Sequence, residues 1–266
     1  MEPRNPQAGL CLSVVIPALN EALTIGEAIA AVPLASLQAQ GFEVEILVVD
    51  NNSSDPTPAI AQAAGARLVF ERRRGYGRAL RAGFAAATGE IITIADADRT
   101  YPLECLAALL RPILDGTADL VTGSRLRGRI EPGAMPLLHR YVGVPGLTFV
   151  LRVLFGIRVT DGHCGMRVLT RRAVERLALH TEGMEFATEL LVRCAGAGLR
   201  IAEVPIDYRR RPVRSTSKLR SLRDGWRHLR FMLVEFVRSR RAAPREAASP
   251  RPVPVEETSM TAVKIP

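Results

Sequence analysis

Residues 91–98 of the chain read I-I-T-I-A-D-A-D, a short apolar run with two carboxylates directly behind it. The length and β-branched content of the run predict a buried strand, and the polar residues mark the point where the backbone leaves the sheet. Two carboxylates two positions apart at a strand end can approach one divalent cation, since Mg²⁺ and Mn²⁺ prefer oxygen ligands. The pair Asp96 and Asp98 therefore predicts a metal site, although an isolated acidic pair is also typical of a solvated turn.

The same pattern of an apolar run followed by a polar loop occurs twice earlier in the chain. The run at 12–16 leads into P-A-L-N-E at 17–21, and the run at 44–49 leads into D-N-N-S-S-D at 50–55. Because ligands bind at the carboxyl ends of parallel strands, we expect these loops and residues 96–98 to converge on one cleft. Oxygen-rich side chains suit the N–H groups of a nucleobase and the hydroxyls of a ribose. Together the loops indicate a cleft for a nucleotide diphosphate.

The other apolar patterns alternate between strand and helix. Further strands are predicted at 66–70, 119–122 and 200–204, and helices at 24–32, 77–87, 103–114, 171–179 and 186–197. This alternation predicts an α/β fold in which a mostly parallel sheet carries helices on both faces. With 47% hydrophobic and 24% charged residues, the 266-residue chain has the composition of a folded globular protein, which excludes a collagen-like, disulfide-stabilised or wholly disordered chain.

The positive charge of the chain is concentrated near one end. The net charge is +9, and residues 209–241 alone carry twelve Lys and Arg against two acidic residues, an excess of ten. A fold that exists to hold nucleic acid more often spreads basic residues over its main surface. A nucleic-acid-binding protein is therefore a remote alternative, and a local anionic partner is favoured.

An amphipathic helix is predicted at 217–237, inside this basic segment. Apolar residues recur there at spacings of three and four, with arginines beside them. The apolar stripe is Leu219, Leu222, Trp226, Leu229, Leu233 and Phe236, and the arginines are Arg220, Arg223, Arg227 and Arg230. Such a helix can attach to an anionic membrane surface without spanning it. The alternative is that the stripe packs on the folded domain and the arginines face water.

The sequence also predicts a location. No stretch approaches the roughly 18 apolar residues of a membrane-spanning helix. Four cysteines, at positions 11, 105, 164 and 194, are scattered without a C-x-x-C pair, which favours reduced thiols. We therefore expect a cytoplasmic protein, which is peripheral on the inner face of the membrane if the basic helix attaches there.

Ordered motifs run through most of the chain. They are P-A-L-N-E at 17–21, V-V-D-N-N-S-S-D at 48–55, R-G-Y-G-R-A-L-R-A-G-F at 74–84, D-A-D-R-T-Y-P at 96–102, G-S-R at 123–125, D-G-H-C-G-M-R at 161–167 and G-M-E-F-A-T-E at 183–189. With them the chain resembles the family 2 glycosyltransferases, in particular polyprenyl-phosphate mannosyl- and glucosyltransferases of the dolichyl-phosphate mannose synthase type. The resemblance implies the glycosyltransferase-A fold for a catalytic domain at 10–208. Charge and composition predict a basic amphipathic helical segment at 209–241 and a disordered tail at 242–266.

The resemblance also implies a reaction, the metal-dependent, inverting transfer of a hexose from a nucleotide-diphosphate sugar to a polyprenyl phosphate. It places Asp96 and Asp98 at the catalytic metal, which would be Mg²⁺ or Mn²⁺. The residues that it assigns to the donor are Pro17, Asn20, Glu21, Asp50, Asp55 and Gly75, and those that it assigns to the acceptor are Arg125, Arg127, Arg140 and Glu189. A forked guanidinium such as that of Arg125 suits a phosphate geometrically.

Some alternatives stay open at the level of the sequence. The acceptor could be a small soluble molecule, and transfer to a hydroxyl would need a carboxylate base such as Glu189 or Asp161. The arginines at 72–74 could touch the donor diphosphate or form a solvated basic turn. Related sequences often have Gly where Arg99 stands, and mannosyl members usually carry Gln at the position of Thr100, which leaves the sugar open.

Overall fold

The computed structural model describes residues 9–212 and 221–242. Within them the chain forms one seven-stranded sheet in the order β3-β2-β1-β4-β6-β5-β7. The strands are β1 Leu10–Ala18, β2 Phe42–Asp50, β3 Arg67–Phe70, β4 Ile91–Ile94, β5 Leu120–Ser124, β6 Arg167–Thr170 and β7 Ile201–Pro205. All neighbours are parallel except β6, which runs antiparallel to both β4 and β5. The prediction of a mostly parallel α/β sheet is confirmed.

The helices connect these strands. They are α1 Ile25–Ala30, α2 Leu34–Ala39, α3 Thr57–Ala63, α4 Tyr76–Ala86, α5 Leu106–Leu114, α6 Val144–Phe155, α7 Arg171–Glu175, α8 Phe186–Gly196 and α9 Ser221–Ala242. A 3₁₀ turn, Leu103–Cys105, precedes α5, and a π-helical turn, His139–Gly143, precedes α6. The helices α4, α5 and α8 match their predictions closely, whereas α2, α3 and α6 were not predicted.

The sheet separates two hydrophobic clusters, as expected when helices cover both faces. Along β1 successive side chains point to opposite faces, so Val14 and Ile16 belong to one cluster and Val15 belongs to the other. Leu106 and Leu109 of α5 pack in the first cluster, and Leu80, Phe186 and Leu190 of α4 and α8 pack in the second. Strands buried on both faces read as continuous apolar runs, which explains why the sequence pattern revealed them.

The strand register brings the polar loops to one edge of the sheet. Ala18 at the end of β1 lies opposite Asp50 at the end of β2, and Val15 lies opposite Ile94 at the end of β4. The amide of Asn51 donates to the carbonyl of Ala18, 2.8 Å away. The predicted convergence of the loops is therefore confirmed.

The last helix, α9, extends beyond the predicted end at residue 237. It runs to Ala242 instead of Val237, while Leu219, Arg220 and the tail beyond residue 242 lie outside the described residues. The ring of Phe236 meets that of Phe155 on α6 edge to face, with centroids 6.1 Å apart. No helix among residues 9–212 and 221–242 has both the length and the apolar character needed to cross a bilayer.

Candidate active site

The carboxylate pair follows β4 at the centre of the loop edge. Oδ1 of Asp98 accepts hydrogen bonds from the amide and hydroxyl of Thr100, at 2.9 and 2.6 Å, and Oδ2 forms an ion pair with Arg211. Gly165 lies so close to Asp96 that a Cβ there would be 2.5 Å from Oδ2, so a larger residue would displace the carboxylate. Burial, and then the neighbouring charge of Asp98, raise the pKa of Asp96 to about 7.

The donor set of this pair fits a hard divalent cation. The two neighbouring carboxylates repel each other, which adds to the effect of burial in raising the pKa of Asp96, and a bound cation would relieve that repulsion. In the described part of the chain no group of three or more His, Cys, Asp and Glu side chains converges. The pair therefore offers two protein oxygen ligands, a number typical of Mg²⁺ sites that are completed by phosphates and water.

The loops after β1 and β2 are joined by hydrogen bonds. The amide of Asn20 donates to Oγ of Ser53 (2.9 Å), and Oδ1 of Asn20 accepts from the amide of Ser54 (2.8 Å). The amide of Glu21 donates to Oγ1 of Thr57 at 2.8 Å. These bonds fix Asn20 and the buried Glu21 beside the end of β2, where donor binding was predicted, with Pro17 opposite Val49 in the sheet.

Asp55 holds these two loops together. Its Oδ2 accepts from the amide of Ala22 (3.1 Å), and its Oδ1 accepts from the amide (3.0 Å) and the hydroxyl of Thr57. Burial acts to raise the pKa of Asp55, but the hydrogen bonds outweigh it and leave the pKa below its ordinary value. Both oxygens accept hydrogen bonds within the protein, so Asp55 joins the two loops, and its contact with the donor stays a prediction.

Asp50 has an oxygen that no described residue satisfies. The side chain is buried at the end of β2, and Oδ2 accepts a hydrogen bond from the amide of Ser53 at 3.3 Å, while Oδ1 is buried without a partner in the described ranges. Leaving a buried acceptor unpaired costs about 1–3 kcal/mol. Such an atom is suited to accept a hydrogen bond from a bound ligand.

Asn51 next to it organises a third loop and was missed in the sequence. Its Nδ2 donates to the carbonyls of Glu71 (3.1 Å) and Arg73 (2.9 Å), and its Oδ1 accepts from the amide of Gly75 (2.6 Å). Three hydrogen bonds from one amide side chain thereby hold the segment from Glu71 to Gly75 against the end of β2. An Asn at a strand end is the available signal, but its partners are 20 or more residues away in sequence.

Gly75 lies where the third loop meets the segment before α8. A Cβ on Gly75 would be 2.3 Å from the carbonyl oxygen of Glu182, and the amide of Gly77 donates to that same oxygen at 3.0 Å. The arginines at 72–74 are exposed beside this loop, and Nη2 of Arg74 donates to the carbonyl of Asn52 at 3.3 Å. The glycine is required by the close approach of the two backbones.

Arg125, which was predicted to bind the acceptor, follows β5 and is buried in a fixed position. Its Nε and Nη2 donate to Oδ2 and Oδ1 of Asp161, at 2.6 and 2.8 Å, and its guanidinium carbon lies 5.3 Å from the ring centroid of Tyr208. Glu203 supports Asp161, because its Oε1 accepts from the amide of Asp161 at 2.9 Å. The exposed Arg127 approaches the same glutamate at 3.8 Å.

Arg140 and Glu189 contact other groups than Arg125 and Arg127 do. Arg140 belongs to the π-helical turn before α6 and stacks on the ring of Tyr141, 5.3 Å from its centroid. Glu189 is completely buried, and its carboxylate accepts from the amides of His180 (3.0 Å) and Thr181 (2.9 Å) and from the hydroxyl of Thr181 (2.6 Å). The prediction that Glu189 borders the acceptor is not supported, since this carboxylate anchors a loop and is closed to solvent.

Arg167 is a second functional candidate that the sequence did not reveal. This buried guanidinium donates to the carbonyls of Gly162 (2.9 Å), Cys164 (3.1 Å) and Ala187 (2.6 Å). It thereby fixes the turn that carries Asp161 to Arg125 and Gly165 to Asp96. The available signal in the sequence was an arginine in the short apolar run of β6, because a charged side chain is rarely buried unless it has polar partners.

The boundary predicted at residue 208 does not separate two independent parts. Arg211 lies beyond it and pairs with Asp98 of the carboxylate pair. On α9, Glu235 accepts two hydrogen bonds from Arg193 of α8, at 2.6 and 3.1 Å. The basic segment therefore contributes to the site and packs on the sheet-bearing body.

Comparison with known proteins identifies the class. A family model, Glycosyl transferase family 2, matches residues 13–178. The chain belongs to this family and is a glycosyltransferase.

Individual relatives carry more specific names. The low-salt glycan biosynthesis hexosyltransferase Agl6 of Haloferax volcanii is 44% identical over 223 residues, which are 84% of this chain and 53% of that protein, so the chain spans about half of this relative. The dolichyl-phosphate hexose transferase of the same organism is 36% identical over 200 residues, covering 75% of this chain and 83% of that protein.

The fold also matches solved structures. The glucosyl-3-phosphoglycerate synthase of Mycobacterium tuberculosis in complex with Mn²⁺, UDP-glucose and phosphoglyceric acid is 26% identical, with a TM-score of 0.67 over 87% of this chain and 81% of that chain. Its complex with UDP is 25% identical with the same TM-score, over 87% of this chain and 82% of that chain. The expected glycosyltransferase-A type of fold is confirmed.

Proposed function

We propose that the chain transfers a hexose, with inversion, from a nucleotide-diphosphate sugar to a polyprenyl phosphate, at a site that needs Mg²⁺ or Mn²⁺. One observation carries this proposal. The buried Oδ1 of Asp50, which has no partner in the described ranges, lies at the same edge of the sheet as the carboxylates of Asp96 and Asp98. A nucleotide diphosphate uses both features, because its nucleoside carries N–H and O–H donors and its diphosphate binds a divalent cation.

The donor would be held by residues of the first three loops. Asp50 accepts from a ribose hydroxyl or a base N–H, while Asn20, Glu21 and Asn51 keep the surrounding loops in place. Asp96 and Asp98 hold the cation, which when bound supplies positive charge to the departing diphosphate. Arg211 beside Asp98 adds a fixed positive charge at the same place.

The arrangement of carboxylates favours a phosphate acceptor over a hydroxyl acceptor. A hydroxyl would need a base, and the two carboxylates considered for that role are engaged: Asp161 with Arg125, and Glu189 with residues 180–181. An acceptor phosphate is anionic at neutral pH and needs no such base. The relative named dolichyl-phosphate hexose transferase supports a lipid phosphate, and Arg125 and Arg127 are the residues that we assign to it.

A soluble phosphate-bearing acceptor is the second candidate, because the solved structures include a complex with phosphoglyceric acid. We place the reaction in the cytoplasm, which four thiols without a disulfide in the described chain support.

The deciding experiment incubates the protein with Mn²⁺ or Mg²⁺ and radiolabelled UDP- and GDP-hexoses, with a polyprenyl phosphate or with phosphoglycerate. We expect label in the organic phase with the lipid phosphate. Label that stays in the aqueous phase with phosphoglycerate alone would assign the second candidate.

A further inference from the structure

Exposed apolar side chains are concentrated on one part of the surface. Among the described residues, fourteen large hydrophobic side chains are exposed, and eleven of them lie between Leu137 and Val153 or on α9. We define the α6–α9 surface by six of them, Tyr141, Phe149, Val153, Trp226, Leu233 and Val237. Phe149 and Trp226 expose 66% and 62% of their area. Apolar exposure clustered in this way marks an interaction site.

The two helices adjoin, so their apolar residues form one surface. The edge-to-face contact between Phe155 and Phe236 joins them. On the side of α9 that faces the body, Met232 is fully buried, and Leu229 and Phe231 pack against the second hydrophobic cluster. Polar contacts add to this packing: Arg227 donates to Glu185 at 2.7 Å, His228 meets the hydroxyl of Thr188 at 2.6 Å, and Glu235 pairs with Arg193. These contacts fix the rotation of the helix, which buries one apolar side and leaves the large apolar side chains of Trp226 and Leu233 exposed on the other.

The charges next to this surface have one sign. Exposed arginines at positions 152, 223, 230, 238 and 240 lie on the same two helices. The two acidic residues of α9, Asp224 and Glu235, are both buried on the inner side. The outer face therefore combines apolar side chains with arginines, the combination that binds the headgroup region of an anionic bilayer.

We propose that the α6–α9 surface docks on an anionic membrane and so presents the acceptor side of the site to lipid. A second copy of the chain fits less well, because a two-fold dimer would bring the two sets of arginines together. On α6, Oγ1 of Thr148 accepts from the amide of Gly162 at 3.1 Å, next to the Asp161 that holds Arg125. Helix α6 therefore contacts the turn that holds Arg125. The orientation of the acceptor residues towards lipid rests on the proposed function, whereas docking of the surface on a membrane does not.

The test is flotation of the full chain with vesicles of phosphatidylcholine, with and without phosphatidylglycerol. We expect flotation that needs the anionic lipid and weakens with salt. The double variant Phe149→Ser/Trp226→Ser and the double variant Arg230→Gln/Arg238→Gln should each lower the floated fraction about tenfold. Matched controls remove the same types of group elsewhere: Leu34→Ser/Phe70→Ser for exposed apolar area and Arg111→Gln/Arg172→Gln for charge. Both controls should float like wild type.

The proposal is overturned if wild type does not float at low salt or if the controls lose flotation as much as the surface variants. A dimer seen by light scattering that Phe149→Ser/Trp226→Ser dissolves, without flotation, would give the surface to a second copy. Thermal unfolding of every variant checks that it remains folded. If the chain floats but transfers hexose only to phosphoglycerate, the proposed function is overturned and membrane docking is supported. If it transfers hexose to detergent-dissolved polyprenyl phosphate but does not float, docking is overturned and the proposed function is supported.

Discussion

The carboxylate of Asp161 receives two parallel hydrogen bonds from the guanidinium of Arg125, from Nε at 2.6 Å and from Nη2 at 2.8 Å, and both side chains are buried. A pair of this kind holds the arginine in one orientation, since the fork of the guanidinium matches the carboxylate. Arg125 is therefore a pre-oriented charge for the acceptor that we propose, with Nη1 remaining outside the pair with Asp161.

Arg125→Lys tests this arrangement. Lysine keeps the charge but cannot bond both oxygens of Asp161, so we expect the acceptor KM to rise about tenfold while the donor KM changes little. Steady-state kinetics with each substrate varied in turn measures the two values. Arg129→Lys, at an exposed arginine nearby, is the control and should change neither. An increase confined to the donor KM would refute the acceptor role.

Asp98→Asn tests the metal site. The substitution keeps the shape of the side chain and removes one charge from the pair, so the rate should fall by about two orders of magnitude or more. Calorimetric titration with Mn²⁺ should show weaker binding in the variant. Asp115→Asn, at an exposed carboxylate that pairs with Arg111, should leave both measurements unchanged. Full turnover by Asp98→Asn, or by wild type in excess EDTA, would exclude the assignment.

Much of this site follows from the sequence because its residues stand at the ends of continuous apolar runs. The register of β1 with β2 and β4 then places those ends together without further information. Arg99 illustrates a further point: its φ is +61°, in the left-handed region, at a position where related sequences often have Gly. An L-residue there costs about 1–2 kcal/mol, so the chain keeps the turn in spite of the arginine.

The features that could not be predicted depend on contacts between distant residues. The strand β6 is only four residues long and begins with a buried arginine, so its apolar pattern is too short to read. Glu189 lies in the helix predicted at 186–197, but only the structure shows that its carboxylate is closed off by residues 180–181. The exposure of Trp226 and Leu233 on α9 likewise depends on contacts of that helix with residues distant in sequence, among them Thr188 and Arg193 of α8.

The polar contacts at the opposite end of the sheet predict an acid-dependent loss of stability. Glu45 accepts from the amide and hydroxyl of Thr88 (2.6 and 2.7 Å) and from Arg67 (3.0 Å). Burial acts to raise the pKa of Glu45, but hydrogen bonds, led by that from Ser13, lower it to about 2. A depressed carboxyl pKa stabilises the folded state above the unfolded pKa of about 4.5, and this contribution disappears as the pH falls through about 2.

Glu45→Gln should therefore lower the free energy of unfolding by about 2 kcal/mol at pH 7, with solvent screening taken into account. The difference from wild type should shrink as the pH falls from 4.5 towards 2, because the glutamine does not titrate. Urea unfolding at several pH values measures it. Glu43→Gln, an exposed position two residues earlier, should show little difference at any pH. A constant difference across that range would contradict the linkage.

The close approach of Gly165 to Asp96 predicts a mutational effect on the metal site. A methyl group on Gly165 would be 2.5 Å from Oδ2 of Asp96 and 3.2 Å from its Cγ, so the carboxylate must move away. We expect Gly165→Ala to weaken Mn²⁺ binding and to lower kcat at least about tenfold, because positioning errors of about 1 Å are costly at a reaction centre. The fold should persist, since the affected group is the free end of one side chain.

Gly196→Ala on α8, where a Cβ would meet nothing within 4 Å, is the matched control. It should keep full activity and stabilise the protein by a few tenths to about 1 kcal/mol, because alanine favours a helix over glycine. Circular dichroism melts and Mn²⁺ titrations of both variants give the comparison, and wild-type metal affinity in Gly165→Ala would show that Asp96 does not serve as a ligand.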